Sequence, residues 1–214
     1  MTEKTDERVA QIIEILEGLY PISVCSLDYE HAYELLFSAR LAAQCTDARV
    51  NTVTPALFAR YPTLEAFAGA DVADVEAIIH PCGFFRSKAR DIVACANKLL
   101  TEYGGRLPDT VEELVKLPGV GRKTANLIVG DVFHKPAIVT DTHCIRIANR
   151  LGLCHTKEPV KVERALWEII PPEKGSDFCH RLVLFGRDIC TARAPRCGDC
   201  PLASLCAERS GANE

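Results

Sequence analysis

The sequence predicts an all-α fold. Apolar residues recur at helical spacing through most of the chain, capping and breaking residues delimit these runs, and no convincing segment alternates as a strand does. "AIVT" at 137–140 is the only β-like stretch, and it is very short. In residues 5–20, Val9, Ile12, Ile13, Leu16 and Leu19 share one face, and Pro21 ends the run. "YEHAYELLFSARLAAQ", after Asp28, reads as a second helix, apolar enough to be central. Residues 47–59, 71–79 and 86–103 follow as helices; Gly104-Gly105 closes the last of them and "LPDT" restarts the chain. "VEELVKL" and "RKTANLIVGDVF" are two helices joined by Pro-Gly-Val-Gly, residues 118–121. Residues 142–151, 160–170 and 176–189 complete the set.

At 214 residues and 48% hydrophobic content, the chain reads as a folded protein of one large or two small domains. No apolar run approaches the ~18 residues a membrane span needs. The polar, acidic start "MTEKTDERVA" does not read as a signal peptide, which points to the cytosol. The net charge of −4 argues against a nucleic-acid partner, but its distribution weakens the objection. Residues 1–34 hold eight acids and two bases (−6), whereas residues 84–124 hold eight bases and five acids (+3). A local basic surface therefore remains available.

A short turn with two glycines between helices is a helix–hairpin–helix. Gly119 and Gly121 permit backbone angles and a close approach that a Cβ would obstruct. The first N–H groups of the following helix lack intrahelical partners and lie at the positive end of its dipole. That arrangement takes an anion, and a nucleic-acid phosphate fits because the contact needs no base identity. A plain corner between two helices is the simpler alternative. Lys123 stands two residues after Gly121. A cation there is disfavoured by roughly 0.3–1 kcal/mol. The same field, with partial burial and the neighbouring Arg122, favours the neutral amine, which is the nucleophilic form. Asp141, in "IVTDTHCIRIANRLG", falls at the mouth of a helix, where a carboxylate is a good cap. The functional alternative is a carboxylate facing Lys123, able to take a proton or to stabilise a developing sugar cation.

The eleven cysteines are an odd number, which argues against a disulfide framework. Seven are scattered. Cys190, Cys197, Cys200 and Cys206 form C-x6-C-x2-C-x5-C. Four thiolates this close satisfy either a tetrahedral zinc or an iron–sulfur cluster. Zinc sites usually pair two short knuckles; one knuckle with wider gaps on each side favours a [4Fe-4S] cube acting as a structural staple. Between the first two ligands, "TARAPR" carries Arg193 and Arg196 and no acid, which suits a phosphate contact. These arginines also keep the loop solvated.

"LPGVGRKTAN", "VTDTHCIRIANRLG" and the four-cysteine tail, in this order, resemble the endonuclease III family over about residues 28–206. The resemblance implies two lobes: a six-helix barrel at 24–136 with the hairpin, and a discontinuous lobe of 1–23 and 137–214 holding one [4Fe-4S] cluster. It implies a DNA glycosylase with apurinic/apyrimidinic (AP) lyase activity; a monomer is the default expectation, and the polar start of the chain points to the cytoplasm. The substrate is double-stranded DNA carrying oxidised pyrimidines or abasic sites, and the damaged nucleotide is flipped out of the stack. By the motif match, Lys123 is the nucleophile and Asp141 its carboxylate partner. "LAAQCTD" places Gln44 in the gap left by the flipped base. The opposite wedge position falls on Phe84, where the family typically has leucine; an aromatic ring there can stack on a base. His143 matches a position close to the bound strand, and a core-satisfied histidine would look the same. A related adenine mismatch glycosylase shares hairpin and cluster, but lacks the lysine and has a glutamate where this chain has Arg40. A DNA-binding module with a four-cysteine zinc site is the non-catalytic alternative.

Overall fold

The computed structural model describes residues 3–210, and the first of its helices, α1 (Glu3–Leu19), buries Val9, Ile12, Ile13 and Leu16 as the periodicity requires. Among the described residues there is no strand. "AIVT" is buried throughout, but it runs as irregular chain, with the Val139 amide donating to Cys179 Sγ at 3.3 Å. Burial of four successive residues, not sheet pairing, explains its β-like composition. The chain divides into two compact units, Cys25–Phe133 and Met1–Val24 with His134–Glu214.

The unit Cys25–Phe133 is built on α2 (Ala32–Leu41), which packs against α3 (Asp47–Arg60), α6 (Phe85–Tyr103) and α8 (Arg122–Asp131). Leu35, Leu36, Phe37 and Leu41 of α2 are buried, in keeping with a central helix. It starts at Ala32, later than the apolar pattern suggests, because the buried carboxylate of Glu34 accepts from the amides of Glu30 and His31 and fixes the start there. A short helix that the sequence pattern does not show, α4 (Leu64–Ala68), is capped by Thr63 and packs on α6. It inserts Phe67 edge-on to Phe37, ring centroids 4.9 Å apart. α5 (Val72–Ile79) also packs on α6, and a 3-10 turn at His80–Cys82 joins α5 to Gly83 and α6. α7 is a single turn, Val111–Leu114, shorter than the seven residues expected.

In the other unit, α9 (Thr142–Leu151) packs against α10 (Pro159–Trp167), α11 (Gly175–Asp188) and α12 (Ala207–Ser210), while α1 lies on α11. Cys144, Ile147, Ala148 and Leu151 of α9 face Phe178, Leu182 and Phe185 of α11 across a shared core. Gly186 permits that contact, since a Cβ on it would overlap His143, Arg146 and Ile147.

Candidate functional site

The hairpin is shaped by its own packing. The hydroxyl of Thr110 caps α7, accepting from the amide of Glu113 at 3.4 Å. The Val120 amide then donates to Leu117 O at 3.2 Å, closing a turn with Pro118 and Gly119 at its centre. Gly119 has φ +74°, the left-handed value a type II turn requires after proline. A Cβ there would come within 2.8 Å of both Arg40 Nε and Asp91 Cβ. Arg40 and Asp91 form an ion pair between α2 and α6, with Nη2 and Nε 2.7 and 2.8 Å from Oδ2. Arg40, in the position of the rival family's glutamate, is thus engaged in holding the turn.

Gly121 is different. Its backbone is extended (φ −93°, ψ 171°), and a Cβ on it would meet nothing within 4 Å. Neither reason foreseen for a glycine here operates inside the protein. Its carbonyl accepts from the Ala125 amide at 2.9 Å, so it is the N-cap of α8, and it has no side chain with which to cap. Ala125–Gly130 are buried and anchor the helix. Arg122 and Lys123, in its first turn, are exposed. The partial burial expected of Lys123 is therefore absent.

Two further loops of this unit carry left-handed backbone on non-glycine residues: Gln44 (φ 55°) after α2, and Phe84 (φ 48°) before α6. Such conformations cost about 1–3 kcal/mol each and gather at functional sites. Gln44 is exposed, and Phe84 is 67% exposed, an apolar ring held out in solvent.

In the other unit, Asp141 caps α9, Oδ1 accepting from the Cys144 amide at 2.7 Å. The simple role is real, and it uses one of two carboxylate oxygens. His143, one turn in, is half-buried with Nδ1 3.1 Å from Arg146 Nη2. Lys123 and Asp141 belong to different units.

Cys190, Cys197, Cys200 and Cys206 line one cavity of about 340 Å³. Among the described residues no three His, Cys, Asp or Glu side chains are grouped closely enough to hold a single ion. A wide ring of four thiols around a roomy cavity suits a cluster better than zinc. Cations surround it, as an anionic thiolate cluster needs. Arg150 donates to Cys190 Sγ at 3.3 Å and to Thr191 O at 2.8 Å, and Arg146 donates to Cys190 O at 2.9 Å. Cys206 Sγ in turn donates to Arg150 O at 3.3 Å, and Arg209 holds Cys197 O. Of the two loop arginines, Arg193 is exposed, while Arg196 is held by Asp188, 2.8 Å to its carbonyl and 2.5 Å to Oδ1. Arg146 and Arg150 were missed in the sequence, although their i, i+4 spacing in "CIRIANRLG" places them together on α9.

Residues 37–172 match the family described as HhH-GPD superfamily base excision DNA repair protein, and residues 190–206 match the iron-sulfur binding domain of endonuclease III. The cofactor is a [4Fe-4S] cluster. The chain is 46% identical to endonuclease III of Synechocystis sp., over 94% of this chain and 92% of that protein. It is 44% identical to endonuclease III of Bacillus subtilis, over 92% and 90%. A trapped endonuclease III–DNA covalent intermediate, an estranged-adenine complex, superposes with a TM-score of 0.92 at 39% identity, covering 98% of this chain and 99% of that one. Family model, relatives and fold agree, and the chain belongs to the HhH-GPD superfamily of base excision DNA repair proteins, within the endonuclease III family.

Proposed function

We propose that this protein, a base-excision-repair DNA glycosylase with AP lyase activity, removes oxidised pyrimidines from duplex DNA through a Schiff base on Lys123. The observation that supports it is the start of α8. Gly121 offers backbone with open space in front of it, and Lys123 stands exposed in the turn that follows. A glycine that the fold itself does not need, at the positive end of a helix, fits a phosphate arriving from outside. Arg122 adds charge beside it.

In this reading the uncharged Lys123 Nζ attacks C1′ of the displaced nucleotide. The bond from C1′ to the base breaks, and the base leaves with the bonding pair. The C1′-bound amine gives up one proton, for which Asp141 is the acceptor through the oxygen its helix cap leaves over; the C1′–O4′ ring bond then breaks as the C1′=Nζ iminium forms, and O4′ takes a proton to become the C4′ hydroxyl. Loss of a C2′ proton from the iminium then expels the 3′ phosphate and nicks the strand. Gln44 and Phe84 enter the base stack, and Gly119 shapes the turn that Gly121 presents. His143 and Arg193 lie along the strand, with Arg196 contributing less because Asp188 already holds it. When bound, the cluster staples residues 190–206. Residues 24–136 act as the barrel lobe and 1–23 with 137–214 as the cluster lobe, in a cytoplasmic monomer. No helix among the described residues is long and apolar enough to cross a membrane.

Borohydride trapping tests the chemistry. Incubated with duplex DNA bearing one abasic site, the protein is expected to form a covalent complex, and Lys123→Ala is expected to lower its yield by at least ~10³-fold. Binding without any crosslink in the wild type, or full crosslinking by the alanine variant, overturns the assignment.

A further inference from the structure

Lys88, in the first turn of α6, is 1% exposed. Its Nζ donates to Leu41 O at 2.8 Å and to Cys82 O at 2.9 Å. Leu41 is the last residue of α2, three residues before Gln44. Cys82 ends the 3-10 turn, two residues before Phe84. One buried ammonium therefore ties together two segments that lead, within three residues, into the left-handed backbone of Gln44 and Phe84. Burial is unfavourable for the charged form and lowers the basicity of this lysine. An apolar side chain of the same length would fill the space without that cost. What it could not do is join two carbonyls, one of them at the negative end of a helix.

We infer that Lys88 is a positioning residue, holding the loops of Gln44 and Phe84 in the strained, outward-facing form that enters the base stack. This rests on the reading of those two residues as DNA wedges given above. Lys88 touches neither substrate nor reacting atoms in this scheme; it acts through the loops. Without it, each loop can relax toward ordinary backbone angles, and the wedges lose their shared setting. The consequence falls on the opening of a duplex, not on chemistry at a sugar that is already exposed.

The test uses the full-length, cluster-loaded protein and two substrates: a duplex with one oxidised pyrimidine, and a single-stranded oligonucleotide with one abasic site, which has no partner strand to part. Lys88→Met is expected to lower kcat/KM on the duplex about tenfold or more while changing β-elimination on the single strand by less than about twofold. A double-mutant cycle separates positioning from general support. In a Gln44→Ala, Phe84→Ala background, adding Lys88→Met is expected to cost less than about threefold on the duplex, because the loops it serves no longer carry wedges. Equal losses on both substrates, or a full additional loss in that background, make Lys88 a packing residue only and overturn the inference. If Gln44→Ala, Phe84→Ala itself retains wild-type duplex activity, the wedge reading fails first and takes the inference with it. Should Lys88→Met not fold, Lys88→Gln, shorter but still a donor, replaces it in the same cycle.

Discussion

The hairpin and the cysteine loop are both proposed to meet DNA, yet they are held in opposite ways. The hairpin is fixed by the fold's own contacts: Pro118 and left-handed Gly119 lie against the Arg40–Asp91 pair, and Ala125–Gly130 are buried behind it. In the cysteine loop, Leu202 is buried, short 3-10 turns bond backbone to backbone, and arginines from α1, α9 and α12 take the carbonyls of Cys190, Thr191, Ala192, Cys197 and Leu205 beside a cavity lined by thiols. One site is preorganised by apolar burial and turn geometry. The other is a ring of charges and donors around a cavity, and is proposed to depend on the cluster held there.

The largest expected effect breaks the comparison at the loop. Cys200→Ser is expected to abolish the visible absorbance that a bound iron–sulfur cluster gives and to remove local folding free energy on the order of 10 kcal/mol. Limited trypsin digestion should then cut at Arg193 and Arg196 while leaving residues 25–133 intact. Equal resistance in variant and wild type would show that the loop holds itself.

The hairpin offers a sharper contrast, since its two glycines are expected to behave unlike each other. Gly119→Ala places a Cβ against Arg40 and Asp91 at a left-handed φ, and is expected to cost about 2–4 kcal/mol in denaturant unfolding. Gly121→Ala is expected to change stability by less than about 0.5 kcal/mol while weakening duplex binding about tenfold. Unchanged binding would remove the argument that the second glycine makes room for a phosphate.

The smallest effect compares arginines. Arg193→Ala is expected to flatten the dependence of log affinity on log salt by about 0.9, as one phosphate contact does. Arg196→Ala should change it less, because Asp188 already accepts from that guanidinium. Salt titrations of binding read both, and an equal or larger change for Arg196 would invert the ranking.

What was legible in the sequence followed from local chemistry. Pro-Gly-Val-Gly announces its turn, and four cysteines in seventeen residues announce their ligand class. The long helices are readable because 3.6-residue periodicity survives in them. The short α4 has only five residues, too few to show a period, and only its Thr63 cap marks it. Lys88 reads as an ordinary surface lysine, because nothing in "RSKAR" says that two distant carbonyls converge on it. The strain at Gln44 and Phe84 was equally invisible, since glycine is the residue that advertises a left-handed backbone and neither position has one. Gly121 and Gly119 look alike in the sequence, and only the structure separates them: a Cβ would meet Arg40 and Asp91 at Gly119 and nothing within 4 Å at Gly121.

The turn at 117–120 is wound by contacts within the chain alone: its proline, its left-handed glycine and its closing hydrogen bond. A hand that is already open need not pause to unclench. On the proposed function, capture by this end of the molecule is governed by the pace at which opposite charges find one another, while the time spent at each stop along the duplex is left to the loops of Gln44 and Phe84, proposed to push between its bases.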